Sequence, residues 1–196
     1  KKKIIDLYKP RWIWSPKELE EMNEYLLLDH FIGYLYTPKE FESYAIHNDL
    51  KLILSSSGST GSPKLIRLSL NNLQANASSI AHYLKLTKSD KAITSLPLHY
   101  SFGLSIINSF LEVKAKVILT NESLISRDFW QTFKQQEISF LAGVPFSFDI
   151  LSQLHFDRMK LPSLKYLVQA GGSLLPNQIK TFAKNAKDKN ADFYVM

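Results

Sequence analysis

A loop rich in hydroxyl groups and glycine follows an apolar run and ends in a lysine. Residues 52–55 read Leu-Ile-Leu-Ser, and residues 56–64 continue as Ser-Ser-Gly-Ser-Thr-Gly-Ser-Pro-Lys. Glycine lets a backbone turn tightly against a ligand, while successive N–H groups and hydroxyls donate to phosphate oxygens. The residue types therefore predict a phosphate-binding loop. Its candidate ligand-binding residues are Ser56, Ser57, Gly58, Ser59, Thr60, Gly61 and Lys64.

The most familiar phosphate loop, Gly-X-X-X-X-Gly-Lys-Ser/Thr, fits these residues poorly. Pro63 precedes Lys64 where that motif has glycine, and Leu65 follows where it has a magnesium-binding hydroxyl. Proline also lacks an N–H and holds the preceding residue in an extended conformation. A kinase or nucleoside triphosphatase of that type remains an alternative function. A non-catalytic nucleotide-binding module is another.

Short apolar runs alternate with helical patterns through most of the chain, which predicts an α/β fold. The pattern indicates a largely parallel sheet with helices on both faces. An additional helix is expected from Ser15 to about Leu28, because Ser15-Pro16 is typical of a helix start. Predicted strands are 51–55, 91–96, 115–120, 138–142, 164–170 and 192–195; predicted helices are 71–84, 101–113, 126–136, 145–154 and 176–186.

Four loops are expected at one edge of this sheet. They follow the strands predicted at 51–55, 91–96, 138–142 and 164–170. Ligands of open parallel sheets bind outside the carboxyl ends of the strands. A single crevice is therefore predicted to use all four loops.

Composition narrows the class of protein. The 196 residues include no cysteine, which favours a reducing compartment, and a cytoplasmic location is expected. No apolar run is long enough to predict a membrane span. The net charge is +6, but the lysines are scattered and form no aromatic-interleaved stripe, so no nucleic-acid partner is predicted. The five histidines lack metal-ligand spacing, and no protein metal site is predicted.

Three segments together resemble the adenylate-forming superfamily, which includes acyl-CoA synthetases and adenylation domains. The loop at 56–64 looks like the signature loop of that family. Residues 96–104, Leu-Pro-Leu-His-Tyr-Ser-Phe-Gly-Leu, are similar to its Pro-aromatic-His-X-X-Gly segment. Residues 171–175, Gly-Gly-Ser-Leu-Leu, resemble its Gly-Gly-Ala-Pro-Leu segment. The order of the three segments is that of the family.

The resemblance implies an ATP-dependent ligase with two half-reactions. A carboxylate attacks the α-phosphate of Mg²⁺-bound ATP, giving an acyl-adenylate and pyrophosphate, and a thiol then takes the acyl group. The implied acceptor is CoA or the phosphopantetheine of a carrier protein, so an acyl carrier protein is a possible partner beside the small-molecule carboxylate. The loop at 56–64 would bind the β- and γ-phosphates. Gly171, Gly172 and Ser173 would lie against the adenine, and His99 or Tyr100 would line the acyl pocket.

The resemblance also implies domain limits and a substrate class. Residues 1–48 would end a preceding subdomain, and residues 49–196 would form an ATP-binding subdomain that stops before the family's Tyr-Gly-X-Thr-Glu motif. Catalytic residues are expected beyond Met196, so the isolated fragment is expected to be inactive. Residues 96–111 include no acidic side chain to pair with a substrate ammonium, which favours a fatty or aryl acid. Tyr100 stands where the family has histidine, and Leu174 stands where it has proline.

Overall fold

The computed structural model describes residues 2–20, 22–30, 33–41, 43, 45–55 and 65–196. The chain divides into two compact units, Lys1–His47 and Asn48–Met196. No helix in these ranges combines the length and the apolar character needed to cross a membrane.

The described part of the first unit holds one helix and a small antiparallel sheet. Helix α1 spans Lys2–Tyr8, and the strands are β1 (Ile13–Ser15), β2 (Tyr25–Asp29) and β3 (Tyr34–Pro38), in the order β1-β3-β2. The helix predicted from Ser15 to Leu28 is wrong. The Ser15 hydroxyl accepts a hydrogen bond from the Lys17 amide and forms a local turn, and Leu26 and Leu27 pair with β3. Strand pairing outweighs a local start signal at this position.

The second unit opens with a hairpin that stands apart from the main sheet. Strands β4 (Leu50–Ser55) and β5 (Leu65–Ser69) pair antiparallel, with Ser55 opposite Leu65. The prediction that the loop after residues 51–55 leaves the same sheet as the other three loops is therefore wrong. A loop that joins neighbouring antiparallel strands needs no crossover helix, whereas a parallel connection does.

A five-stranded sheet with helices on both faces confirms the predicted fold class. Its order is β10-β9-β8-β6-β7, and every pair is parallel. The strands are β6 (Lys91–Ile93), β7 (Lys116–Ile118), β8 (Phe140–Gly143), β9 (Tyr166–Gln169) and β10 (Asp192–Val195); the helices are α2 (Leu70–Tyr83), α3 (Ser101–Glu112), α4 (Arg127–Gln135), α5 (Pro145–Gln153) and α6 (Pro176–Lys187), with a 3-10 turn at Phe156–Arg158.

Alternation along the central strands divides the core between two faces. Phe140 packs with Phe110 of α3 at a ring distance of 5.0 Å, whereas Leu141 joins the cluster around α4, α5 and α6. In that second cluster Phe148 meets Phe182 edge to face at 4.8 Å. Because successive strand residues point to opposite faces, strands buried on both sides must be apolar throughout. This explains the continuous apolar runs in the sequence.

A buried carboxylate ties three strands together at the amino ends of the sheet. Asp90 has no exposed surface and accepts hydrogen bonds from the Thr87 amide and hydroxyl, both at 2.8 Å. Its other oxygen accepts from Lys165 Nζ at 2.9 Å and from Ser139 Oγ at 3.2 Å. Burial alone raises the pKa of Asp90, but the hydrogen bonds from Lys165 and Thr87 outweigh it and hold the pKa below its ordinary value.

Replacing Asp90 with asparagine is expected to destabilise the protein by about 1.5 to 3 kcal/mol, the usual worth of hydrogen bonds to a charged group. The pKa of Asp90 is lower in the folded state, so its contribution is complete above the unfolded-state pKa of about 4. That contribution is lost as the pH falls through the folded-state value. The difference in unfolding midpoint between wild type and Asp90→Asn should therefore be large at pH 7 and shrink in acid. Asp157→Asn removes a more exposed carboxylate that is 3.9 Å from Arg158, and equal effects of the two variants would contradict the role of the Asp90 network.

Candidate active site

The order of the strands creates a crevice between β6 and β8. From β6 the chain passes to β7 on one side, and then crosses to β8 on the other side. β6 and β8 are neighbours in the sheet, and the loops that follow them therefore leave the sheet in opposite directions. Such a switch point is where open α/β sheets bind ligands. The Ser95 hydroxyl donates to the Ala142 carbonyl at 2.6 Å and joins the two strand ends at the base of the crevice.

The loop after β6 packs closely on the start of α3. The Tyr100 amide donates to the Pro97 carbonyl at 3.1 Å, and Tyr100 precedes the first residue of the helix. A Cβ on Gly103 would collide with that same Pro97 carbonyl oxygen. Glycine at this helical position therefore lets the loop lie directly against α3, which fixes where Tyr100 stands.

A turn of two glycines follows β9 and meets both other loops. Gly171 has φ +80°, a conformation that strains any residue with a side chain. A Cβ built on it would lie 2.6 Å from Tyr100 Oη and 3.1 Å from Val144 Cγ1. A Cβ on Gly172 would lie 3.1 Å from the Pro145 ring. The loops after β6, β8 and β9 thus converge at these glycines.

A buried glutamine holds this turn in place. Gln169 has no exposed surface, and its Nε2 donates to the Gly172 carbonyl at 2.7 Å. Its Oε1 is buried and has no hydrogen-bond partner among the described residues. An unpaired buried acceptor is costly and is retained where another requirement outweighs it. The sequence prediction did not assign Gln169 a role. The available signal was its position, since a polar residue there ends an apolar strand directly before the Ala-Gly-Gly turn.

An open groove of about 680 Å³ runs from the glycine turn between α2 and α3. Leu54 and Leu68 of the β4–β5 hairpin also line it. Leu54 lies two residues before the first residue of the predicted phosphate loop. The other lining residues are Asn72, Leu73, Asn76, Ile80, Tyr100, Ser101, Phe102, Leu104, Ser105, Asn108, Ala170, Gly171 and Met196.

The predicted site residues fall into three groups. Tyr100, Gly171 and Gly172 come together at the crevice. Ser173 is exposed beside the turn, and His99 is exposed and does not line the groove, whereas Tyr100 does line it. The residues predicted to bind phosphate, from Ser56 to Lys64, lie outside the described residues.

The missing side chain of Gly171 lets its backbone pack directly against Tyr100 and Val144. No group of three or more histidine, cysteine or acidic side chains in the described ranges could hold a metal ion.

A parallel α/β sheet with a glycine turn beside its switch point, and a groove that starts at that turn, is typical of nucleotide-binding folds. Residues 10–194 match the protein-family model described as "AMP-binding enzyme". The chain belongs to this family, as the sequence resemblance predicted.

Two curated relatives are oxalate–CoA ligases. The protein from Saccharomyces cerevisiae is 26% identical over 183 residues, covering 91% of this chain and 32% of the relative. The protein from Arabidopsis thaliana is 30% identical over 133 residues, covering 66% of this chain and 26% of the relative. The chain thus spans about a third or less of the length of these relatives.

Solved structures share the fold at lower identity. O-succinylbenzoate coenzyme A synthetase from Bacillus subtilis, solved in complex with ATP and magnesium ion, has a TM-score of 0.63 at 22% identity. The match covers 82% of this chain and 33% of the synthetase. It supports the fold assignment independently of the sequence motifs.

Proposed function

We propose that the whole protein is an AMP-forming acid:thiol ligase, and that residues 49–196 form part of its ATP site. The observation that carries the proposal is the convergence of Tyr100, Val144 and Gly171 at the switch point, with the groove leading away from it. The proposed reaction is cytoplasmic. CoA, or the phosphopantetheine of a carrier protein, accepts the acyl group.

In the first half-reaction a carboxylate oxygen attacks the α-phosphorus of ATP. A new P–O bond forms, the bond to the bridging oxygen of the β-phosphate breaks, and pyrophosphate leaves. Catalysis of phosphorus transfer rests on positioning and charge stabilisation. The proposed role of the loop from Ser56 to Gly61, with Lys64, is to hold the departing pyrophosphate, and magnesium supplies further charge neutralisation when it is bound.

The described residues position the other reactants. Gly171 and Gly172 would let the adenine lie against the backbone, with Ser173 at its edge. Tyr100 borders both the glycine turn and the groove, so it would separate the nucleotide from the acyl chain. In the second half-reaction a thiolate attacks the acyl carbonyl carbon, and AMP leaves with the electron pair of the broken C–O bond.

The deciding experiment is carboxylate-dependent exchange of pyrophosphate into ATP by the full-length protein. The expected products of a single turnover with a carboxylate and a thiol are a thioester, AMP and pyrophosphate. Release of ADP and phosphate would instead support the kinase or triphosphatase hypothesis. If the protein bound nucleotide but showed no exchange with any acyl or aryl acid, the result would support the hypothesis of a non-catalytic nucleotide-binding module.

Replacing Gln169 with methionine is expected to raise the KM for ATP about tenfold while changing stability little. The variant loses the hydrogen bond from Gln169 Nε2 to the Gly172 carbonyl, which lowers stability. It also removes the buried, unpaired Oε1, which raises stability, so the two effects on folding oppose each other. The KM for the carboxylate should stay unchanged. Gln131→Met, at an exposed position of α4, is the matched control. A lower unfolding midpoint with an unaltered KM for ATP would show that Gln169 only supports the sheet.

A further inference from the structure

A surplus of positive charge lies at the edge of the five-stranded sheet opposite the crevice. Because all strand pairs are parallel, the segments that lead into the strands share one edge, here called the amino edge: residues 85–91, 113–116, 136–139, 154–165 and 187–192. Its basic residues are Lys85, Lys88, Lys91, Lys114, Lys116, Arg158, Lys160, Lys165, Lys187 and Lys189; its acidic residues are Asp90, Glu137, Asp157, Asp188 and Asp192. With histidine neutral, the segments that leave the strands, 94–100, 119–126, 144 and 170–175, carry one charged side chain, Glu122.

Side-chain contacts join the segments of the amino edge. Lys91 Nζ lies 3.1 Å from Glu137 Oε2, which joins the segments before β6 and β8. Lys189 Nζ donates to the Asp157 carbonyl at 3.0 Å, which joins the segments before β10 and β9. The lysines are scattered along the sequence, but the parallel strands bring them to one surface.

The carboxylates of the amino edge are too few to pair with its lysines. Glu137 pairs with Lys91, and the buried Asp90 pairs with Lys165 at 2.9 Å. Exposed lysines without a carboxylate within 4.0 Å in the described part of the chain are Lys85, Lys88, Lys114, Lys116, Lys160 and Lys187. Like charges that are held close together repel one another, and an anionic partner removes that repulsion.

The types of residue at the amino edge favour a diffuse anionic surface over a nucleic acid. Nine of the ten basic residues are lysine. Lysine presents a mobile point charge, whereas the planar fork of arginine suits one defined phosphate or carboxylate. Phe156 is the one phenylalanine, tyrosine or tryptophan in the amino-edge segments, and it is buried. These segments therefore expose no such ring on which nucleic-acid bases could stack.

An exposed aliphatic side chain accompanies the lysines. Leu111, in the last turn of α3, is 59% exposed, and its carbonyl accepts a hydrogen bond from the Lys114 amide at 2.9 Å. Binding to a membrane interface combines the attraction of basic residues to anionic lipids with the burial of apolar side chains. Clustered lysines beside an exposed leucine suit the headgroup layer of an anionic membrane.

We infer that the amino edge docks the protein on the surface of a membrane that contains anionic phospholipids. The crevice at the carboxyl ends of the strands then faces away from the lipid, toward dissolved nucleotide. The inference stands beside the proposed ligase function and does not require it.

The test is co-sedimentation of the full-length protein with lipid vesicles. One set of vesicles is phosphatidylcholine alone, and the other contains about 30% phosphatidylglycerol. We expect binding to the neutral vesicles to be weaker than binding to the anionic ones by about tenfold or more. Binding to the anionic vesicles should fall as salt is added, because salt screens exposed charges.

A triple variant removes three exposed lysines from the amino edge. Lys88→Gln, Lys114→Gln and Lys116→Gln together should weaken binding to the anionic vesicles about 100-fold, since each basic residue near such a surface strengthens binding about fivefold. Because the three side chains are exposed, the unfolding midpoint should change little.

The matched control removes the same charge from elsewhere in the second unit. Arg67→Gln, Arg127→Gln and Lys180→Gln together change three exposed residues outside the amino edge. This variant has the same net charge as the first, and its binding to the anionic vesicles should stay within about threefold of the wild type.

The remaining outcomes would overturn the inference. These are equal binding to neutral and anionic vesicles, equal weakening by the two triple variants, and no binding of the folded full-length protein to any vesicle. Tighter binding to duplex DNA or single-stranded RNA than to the anionic vesicles would assign the edge to nucleic acid instead. None of these results bears on the ligase function, because ATP–pyrophosphate exchange is measured without lipid.

Discussion

Replacing Gly171 with alanine is expected to reduce ATP–pyrophosphate exchange about 100-fold or more. The residue has φ +80°, which costs a side-chain-bearing residue about 1 to 2 kcal/mol. The new Cβ would also lie 2.6 Å from Tyr100 Oη, so either the turn or the Tyr100 ring must move. Because a loss of about 1.4 kcal/mol in transition-state stabilisation costs tenfold in rate, a combined loss of about 3 kcal/mol gives the expected factor.

The matched control for Gly171→Ala is Asn190→Ala. Asn190 also has a positive φ, +56°, but it follows α6 and does not line the groove. The control should lower stability by about 1 kcal/mol and leave exchange unaltered. If Gly171→Ala bound AMP and exchanged pyrophosphate like the wild type, the glycine turn would not be the adenine site.

Replacing Gly103 with alanine is expected to destabilise the protein by about 3 kcal/mol, at the upper end of overpacking effects. Its Cβ would meet the carbonyl oxygens of Pro97 and Leu96, which are backbone atoms and cannot turn aside as a side chain can. The loop that carries Tyr100 would have to leave α3, so kcat should also fall. Thermal unfolding and exchange assays measure the two effects.

The sign of the stability change makes the Gly103 prediction decisive. Alanine is favoured over glycine inside a helix by about 1 kcal/mol, so helix propensity alone predicts a more stable variant. Gln131→Ala, at an exposed position of α4, is the control for propensity and should change stability by only a few tenths of a kcal/mol. A higher unfolding midpoint for Gly103→Ala would mean that the loop does not depend on close contact with α3.

Most elements of the second unit could be predicted because burial gives them a clear sequence pattern. All four residues of β8 are buried, so the strand reads as an apolar run, and α4 presents its aromatic residues at helical spacing. Strand β5 was missed for the opposite reason. It is five residues long, is mostly exposed and leads directly into α2. Residues 65–69 form a strand because they pair with β4, and their own composition does not predict one.

The residues that converge at the crevice were predictable where the residue type itself limits the geometry. Gly171 and Gly172 could be identified because only glycine suits such a turn, and Tyr100 because the segment around it is specific to the family. The role of Gln169 and the contact of Val144 with Gly171 depend on the crossing of the chain from β7 to β8. That crossing is a property of the strand order, which local sequence patterns do not encode.

The separation of the β4–β5 hairpin from the main sheet has a consequence for the energetics of nucleotide binding. Ile53, Leu65 and Ile66 of the hairpin are more than a third exposed, while β8 is buried throughout. A two-stranded hairpin is marginally stable by itself, and local opening free energies follow such differences in burial. The glycine turn proposed to bind adenine follows β9, whose last three residues are buried, so it extends from a strand with a high opening free energy. The segment proposed to hold the phosphates joins two strands with a low one. Binding of the triphosphate should then appear in amide hydrogen exchange as new protection of the hairpin, and the protection of β8 should change little.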